Sequence, residues 1–176
     1  MNTQALISRA LFCSLLQFGL TTKADVIDTP TEKAFSTRSG SPALVLPKQD
    51  WKVAQEHNRS DGTAVYYHLV SDSTQLNFSV YIDKTTVCQS AEACLQAALK
   101  NQSYKEAKEM QQSTVGPFQL AQFFLDQPQG FPVKQAHILA SAYVDGHWFD
   151  VHISKTGPER PSPEPLLELL KSVTLR

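Results

Sequence analysis

The clearest pattern along the chain is strict alternation. Leu76, Phe78, Val80 and Ile82 place every second residue on one apolar side with Asn77, Ser79 and Tyr81 opposite, which predicts a strand buried on one face. Val65, Tyr67 and Leu69 repeat the pattern over 64–70. A turn precedes that stretch at 58–62, where Asp61-Gly62 supplies the positive φ that hairpins require, and 71–74 is a second turn. Order begins at 43–47, followed by Trp51 and a short extended stretch over 52–57. The period changes at Ser90, after which Ala91, Cys94, Leu95, Ala98 and Leu99 recur at helical spacing. Residues 104–112 are polar and have little to bury, so they extend the helix or form a mobile connection that Gly116-Pro117 ends. Three extended segments follow at 118–125, 133–144 and 147–154, the last two joined through Asp145-Gly146. Gly157, Pro158, Pro161, Pro163 and Pro165 then prevent the strand from continuing. Ser162 reads as the cap of a terminal helix, with Pro163 at its first position and Leu166, Leu167, Leu169, Leu170 and Val173 on its apolar face. The order β-β-β-α-β-β-β-α predicts a single α+β domain over 43–176, an antiparallel sheet of about six strands packed with two main helices. Residues 25–42 carry no apolar period and read as a flexible leader.

The N-terminus changes the compartment. Residues 1–9 are polar and carry Arg9, and 10–20 form an apolar run, the arrangement of a cleavable export signal. The run is about half of the ~20 apolar residues that span a bilayer, so no transmembrane anchor is expected after processing. Thr22 and Ala24 supply small residues for cleavage after Ala24. Cys13 follows Phe12 rather than a small residue, which argues against lipidation, and it leaves with the signal. Removing Arg9 and Lys23 takes the balance from 16 − 17 = −1 to 14 − 17 = −3. No cluster of Lys and Arg exists to displace phosphate counterions, which excludes nucleic acid as the expected partner.

Two cysteines then remain, Cys88 and Cys94, and an even count in an exported chain favours a disulfide. With Ser90 as N-cap and Glu92 in the first turn, the pair brackets the helix start near the positions of a hydrophobic staple. Closing so short a loop stabilises by roughly 2 kcal/mol in the chain-entropy model. The expected location is periplasmic or secreted.

Leu46-Pro47 with Trp51, a helix after the third strand, Val115-Gly116-Pro117, the hairpin from Tyr143 through Asp145-Gly146 to Phe149, and a terminal helix ending Leu169-Leu170-Lys171-Ser172-Val173 form a recognisable order. Over 43–175 this order resembles the PsbP-like superfamily, which includes the photosystem PsbP subunit, the Ran-binding Mog protein and bacterial DcrB-like envelope proteins. The resemblance implies a PsbP-like sandwich acting as an adaptor or binding domain, and it brings no catalytic motif.

Candidate chemistry gathers around the last hairpin. Asp150 and His152 share a strand face with Trp148, His147 falls on the opposite side with Phe149, and His137 lies across the hairpin. His137, Asp150 and His152 are therefore the weak candidates for a metal or an acid–base pair. Polar residues on strand surfaces usually have no such role, and neither a metal nor any other cofactor is assigned. No Gly-x-Ser-x-Gly elbow and no glycine-rich phosphate loop occurs, and the chain has only seven glycines. Tyr66, Tyr81 and Trp148 fall on the strand face left by the main core; the favoured expectation is that the terminal helix covers them. The alternative makes them a partner-binding surface, with Phe131 in the 127–132 loop as a further contact. The preferred function is a non-enzymatic exported protein that binds another protein of the cell envelope, as an accessory factor or an immunity-type protein. The competing classes are a metal-dependent or hydrolytic enzyme using His137, Asp150 and His152, and a small-ligand carrier.

Overall fold

The computed structural model describes residues 26–100 and 104–176; the export signal read over 1–24, with its cleavage point, lies outside them. Among the described residues there are eleven strands: β1 (Val26–Asp28), β2 (Glu32–Phe35), β3 (Leu44–Pro47), β4 (Trp51–Asn58), β5 (Ala64–Ser71), β6 (Leu76–Lys84), β7 (Lys108–Val115), β8 (Phe118–Asp126), β9 (Lys134–Val144), β10 (His147–Gly157) and β11 (Thr174–Leu175). The described residues also hold two short α-helices, α1 (Ala91–Leu99) between β6 and β7, and α2 (Glu164–Ser172) before β11. The strands form a seven-stranded sheet in the order β4-β5-β6-β10-β9-β8-β7 and a four-stranded sheet in the order β1-β2-β3-β11, antiparallel throughout.

This architecture corrects the expectation of an α+β domain with about six strands. The molecule is a mostly β sandwich, and the two helices are additions to it. Two of the unforeseen strands come from the stretch expected to be a leader: residues 26–42 hold β1 and β2, and Phe35 is fully buried against Tyr67 with ring centroids 4.9 Å apart. A third, β7, occupies the polar stretch expected to extend the helix or stay mobile. Its side chains are exposed on both faces because it is the last strand of its sheet, so it has no apolar period to show. Backbone pairing with β8 holds it there instead.

The main core lies between the two sheets. Phe35, Leu44 and Leu46 of the small sheet meet Val65, Tyr67, Phe78, Val80, Phe149 and Val151 of the large one, and Leu166, Leu169 and Leu170 of α2 join the same cluster. α2 therefore packs on the inner face. The outer face of the large sheet is covered only in part: α1 lies over β8 and β9, where Leu95 packs with Ala121, Phe123, Leu125 and Leu139. The helix start follows the sequence closely. Ser90 accepts a hydrogen bond from the Ala93 amide at 3.1 Å, and Cys88 and Cys94 are bonded with their Cα atoms 5.1 Å apart. α2 begins one residue later than expected; Pro163 is its cap, and the Ser162 hydroxyl accepts the Glu164 amide at 3.3 Å.

Candidate functional site

The uncovered part of the outer face is built by strict alternation on three strands. β5 contributes Tyr66 and His68, β6 contributes Asn77, Ser79 and Tyr81, and β10 contributes Trp148, Asp150, His152 and Ser154, every one opposite an apolar residue of the inner core. Register sets these into rows across the sheet. Tyr66 pairs with Tyr81 and Tyr81 with Asp150; one row further, His68 pairs with Ser79 and Ser79 with His152; the next holds Asn77, Ser154 and His137. One end of the face is thus aromatic and the other carries small polar groups and imidazoles.

At the aromatic end the Tyr81 and Trp148 rings meet edge to face at 6.1 Å, and His57 stacks on Tyr66 at 6.2 Å. Hydrogen bonds fix the polar tips: Tyr81 donates to Asp83 Oδ2 at 3.1 Å, Arg59 donates to Asp83 Oδ1 at 2.7 Å, and Trp148 Nε1 donates to Ser141 at 3.3 Å. Burial, then the neighbouring Asp83 charge, pushes the Tyr81 phenol up from its ordinary value. The expectation that the terminal helix covers these aromatics is wrong, because α2 packs beneath the opposite face with Phe149, Val151 and Ile153. All three side chains stay partly open. Phe131 is 63% exposed but does not join them. It sits in the loop before Lys134, at the far end of β9 from Tyr143, which pairs with Trp148.

At the polar end a chain of hydrogen bonds runs through the sheet surface. Gln135 donates to Thr156 Oγ1 at 3.1 Å, His137 Nε2 lies 3.1 Å from Gln135 Oε1, and His137 Nδ1 lies 2.8 Å from His152 Nε2. With the Gln135 amide so oriented, His137 donates through Nε2, its Nδ1 must accept, and His152 donates through Nε2. His137 is thereby held neutral, since a proton on its Nδ1 would face an N–H. Burial is the main cause of the downward shift at both imidazoles, with the charge of His152 adding at His137 and that of His68 adding at His152. Phe123 stacks on the back of His137 at 5.1 Å, and Tyr104 meets both Phe123 and His152 edge-on.

Asp150 stands apart from this chain. Its Oδ1 is buried without a hydrogen-bond partner among the described residues, and burial pushes its carboxyl up to about 7. Burial and the nearby Asp150 charge push the Tyr104 phenol up to about 12. The structure thus joins His137 to His152 but not Asp150 to either. Among the described residues no group of three or more His, Cys, Asp and Glu is placed to hold a metal ion. His147 faces the inner side as expected, with Nδ1 2.9 Å from the Asp145 carbonyl.

At the polar end lies a hollow of about 350 Å³ bounded by Tyr66, His68, Asn77, Ser79, His152 and Ser154, with Gln135 and Thr156 at its rim. A larger cavity of about 600 Å³ opens beside α2 around Pro47, Leu76, Pro165 and Leu169, but no two of its polar side chains are hydrogen-bonded to each other. Sequence reasoning missed His68, Asn77, Ser79, Gln135 and Tyr104 as site residues. Their faces were legible from alternation; the missing information was that β6 pairs with β10, about 70 residues away, rather than with a sequence neighbour alone.

A search by sequence finds no matching family model and no matching curated protein. Among solved structures, a protein of Bacteroides thetaiotaomicron VPI-5482, determined by crystallography at 1.50 Å resolution, is similar with 16% identity and a TM-score of 0.47. The match covers 76% of this chain and 45% of that one, so this chain spans less than half of that protein's length. No functional statement passes from that likeness, and it does not bear on the resemblance to PsbP-like proteins. The Cys88–Cys94 disulfide is compatible with an extracytoplasmic location, and among the described residues no helix is long and apolar enough to cross a membrane.

Proposed function

We propose that this chain is an exported, non-enzymatic binding domain that holds a protein of the cell envelope against the aromatic end of its outer sheet face. The observation that carries this reading is the side-by-side placement of Tyr66, Tyr81 and Trp148 on a rigid sheet, each left partly open. Large aromatic side chains lose little rotamer freedom on binding, and hydrogen bonds to Asp83 and Ser141 already fix two of them. Arg59 stands beside the shallow depression between Tyr66 and Tyr81, as a charged rim stands beside an apolar anchor. The separation of Asp150 from the imidazole pair supports a binding role over an acid–base one. An accessory or immunity-type role fits this surface equally.

A photo-crosslinker introduced at Tyr81 of the exported protein tests the reading. The expected result is one discrete protein adduct that is absent when the crosslinker stands at Met110 on the outer strand β7. Recovery of no adduct, or the same adducts from both positions, overturns it.

A further inference from the structure

The hollow at the polar end of the face goes beyond the docking reading and shares only Tyr66 with it. Every residue lining it carries a hydroxyl, amide or imidazole group, and none is Lys, Arg, Asp or Glu. A charged ligand would find no opposite charge there, and an apolar ligand would strip water from these groups without replacing their hydrogen bonds. The groups are also fixed in place. His68 Nε2 lies 3.3 Å from Asn77 Oδ1, so the Asn77 amide nitrogen is turned outward, and the Gln135-Thr156 and His137-His152 contacts hold the opposite side. The hydroxyls of Ser79, Ser154 and Tyr66 have no protein partner among the described residues. Hydroxyls that both donate and accept, together with the Asn77 amide, therefore line the hollow, while the Tyr66 ring, backed by His57, supplies a flat apolar wall. Ligands that present donor–acceptor hydroxyls around their edge and C–H groups on one face are sugar rings. The volume, about 350 Å³, lies near the lower end of the roughly 300–1,000 Å³ common for ligand pockets.

We infer that this hollow, framed by Tyr66, His68, Asn77, Ser79, His152 and Ser154, is a binding site for a neutral polyhydroxylated ring, a saccharide unit either free or at the end of a glycan. Tyr66 carries the C–H face, and the amide and hydroxyl side chains read the ring hydroxyls. Water-mediated contacts extend this reading to the rim at Gln135 and Thr156.

The test is calorimetric titration of the full exported protein with glucose, galactose, mannose and N-acetylglucosamine, together with a glycan array terminating in the same units. Saturable binding of at least one free sugar, or of its terminal unit alone on the array, supports the site, and the two arms separate a carrier of free sugar from a reader of glycan ends. Asn77→Ala is expected to weaken that binding by roughly tenfold, the loss of about 1.4 kcal/mol of hydrogen bonding. Trp148→Ala leaves it within about twofold while, in the protein carrying the crosslinker at position 81, removing the protein adduct, so the two proposals fail separately. The inference is overturned by absence of binding on both arms up to about 50 mM sugar, a concentration that detects even millimolar affinity. Binding that Asn77→Ala leaves unchanged, or binding of acetate or inorganic phosphate in place of the neutral sugars, overturns it as well.

Discussion

Asp150 and the imidazole pair show how one face of two paired strands carries opposite electrostatic costs. A carboxyl raised to about 7 keeps its proton in the folded chain while the unfolded chain, at about 3.9, has released it. Between those values the native state binds more protons, so stability falls as pH rises from about 4 to 7 and stays reduced above that. His137 and His152 act the other way: their lowered values mean that the unfolded chain takes up protons first, and stability falls as pH drops below about 6.5. Asp150→Asn removes only the first contribution. It is expected to raise the unfolding free energy by about 2–4 kcal/mol at pH 8 and by little at pH 4, measured by urea denaturation across pH. A gain that is equal at both pH values would show that Asp150 is not held protonated by its surroundings. Alternation alone placed Asp150 and His152 on one face. It did not show that His152 takes His137, rather than Asp150, as its partner, because that choice depends on side-chain reach across β9 and β10.

At the level of elements, the helix start was the most legible part of the chain. Cap, first-turn acid and bridging cysteines all lie within seven residues, so local chemistry decides the geometry. Cys88→Ser with Cys94→Ser is expected to cost about 2 kcal/mol and Ser90→Ala about 1 kcal/mol, read from urea midpoints. Combining them is expected to cost less than the sum, because both devices fix the same turn. The outer strands were the least legible. β4 is exposed over most of its length after Trp51, and β7 as far as Thr114. Each carries a register shift in its pairing, between Val53 and Gln55 in one and between Lys108 and Gln111 in the other, with Glu109 at a positive φ of 55°. Charged side chains and bulges of this kind protect sheet edges from pairing with other chains. They also erase the alternation by which a strand is recognised. The loop before α2 secures the β7 edge from a distance: Arg160 donates to Glu109 at 2.6 Å and lies 4.6 Å from the centre of the Phe124 ring.

On the scale of the whole molecule, the small sheet changes what the chain needs in order to fold. Residues 25–42 read from the sequence as a flexible leader, yet Phe35 fills the space between the sheets and β11 closes the same sheet from the other end of the chain. The pairing of Thr174 with Val45 ties the C-terminus to β3, and the Ala43 and Arg176 amides and carbonyls exchange hydrogen bonds at 2.7 and 2.9 Å. Phe35→Ala is expected to cost about 3–5 kcal/mol by urea denaturation. A change within about 0.5 kcal/mol would return the segment to the status of a leader. The amino-acid sequence by itself determined the alternating strands β5, β6, β8, β9 and β10, the two helices, the hairpin at Asp145-Gly146 and the disulfide, because each is set by neighbours a few residues apart. Tertiary structure alone decided that the strands divide into two sheets, that α2 lies on the inner face, and that Tyr66, Tyr81 and Trp148 stay open beside a polar hollow. Those outcomes depend on the pairing of β6 with β10 and of β3 with β11, and periodicity, which reports only which side of its own strand a residue faces, carries no information about which distant strand will lie alongside.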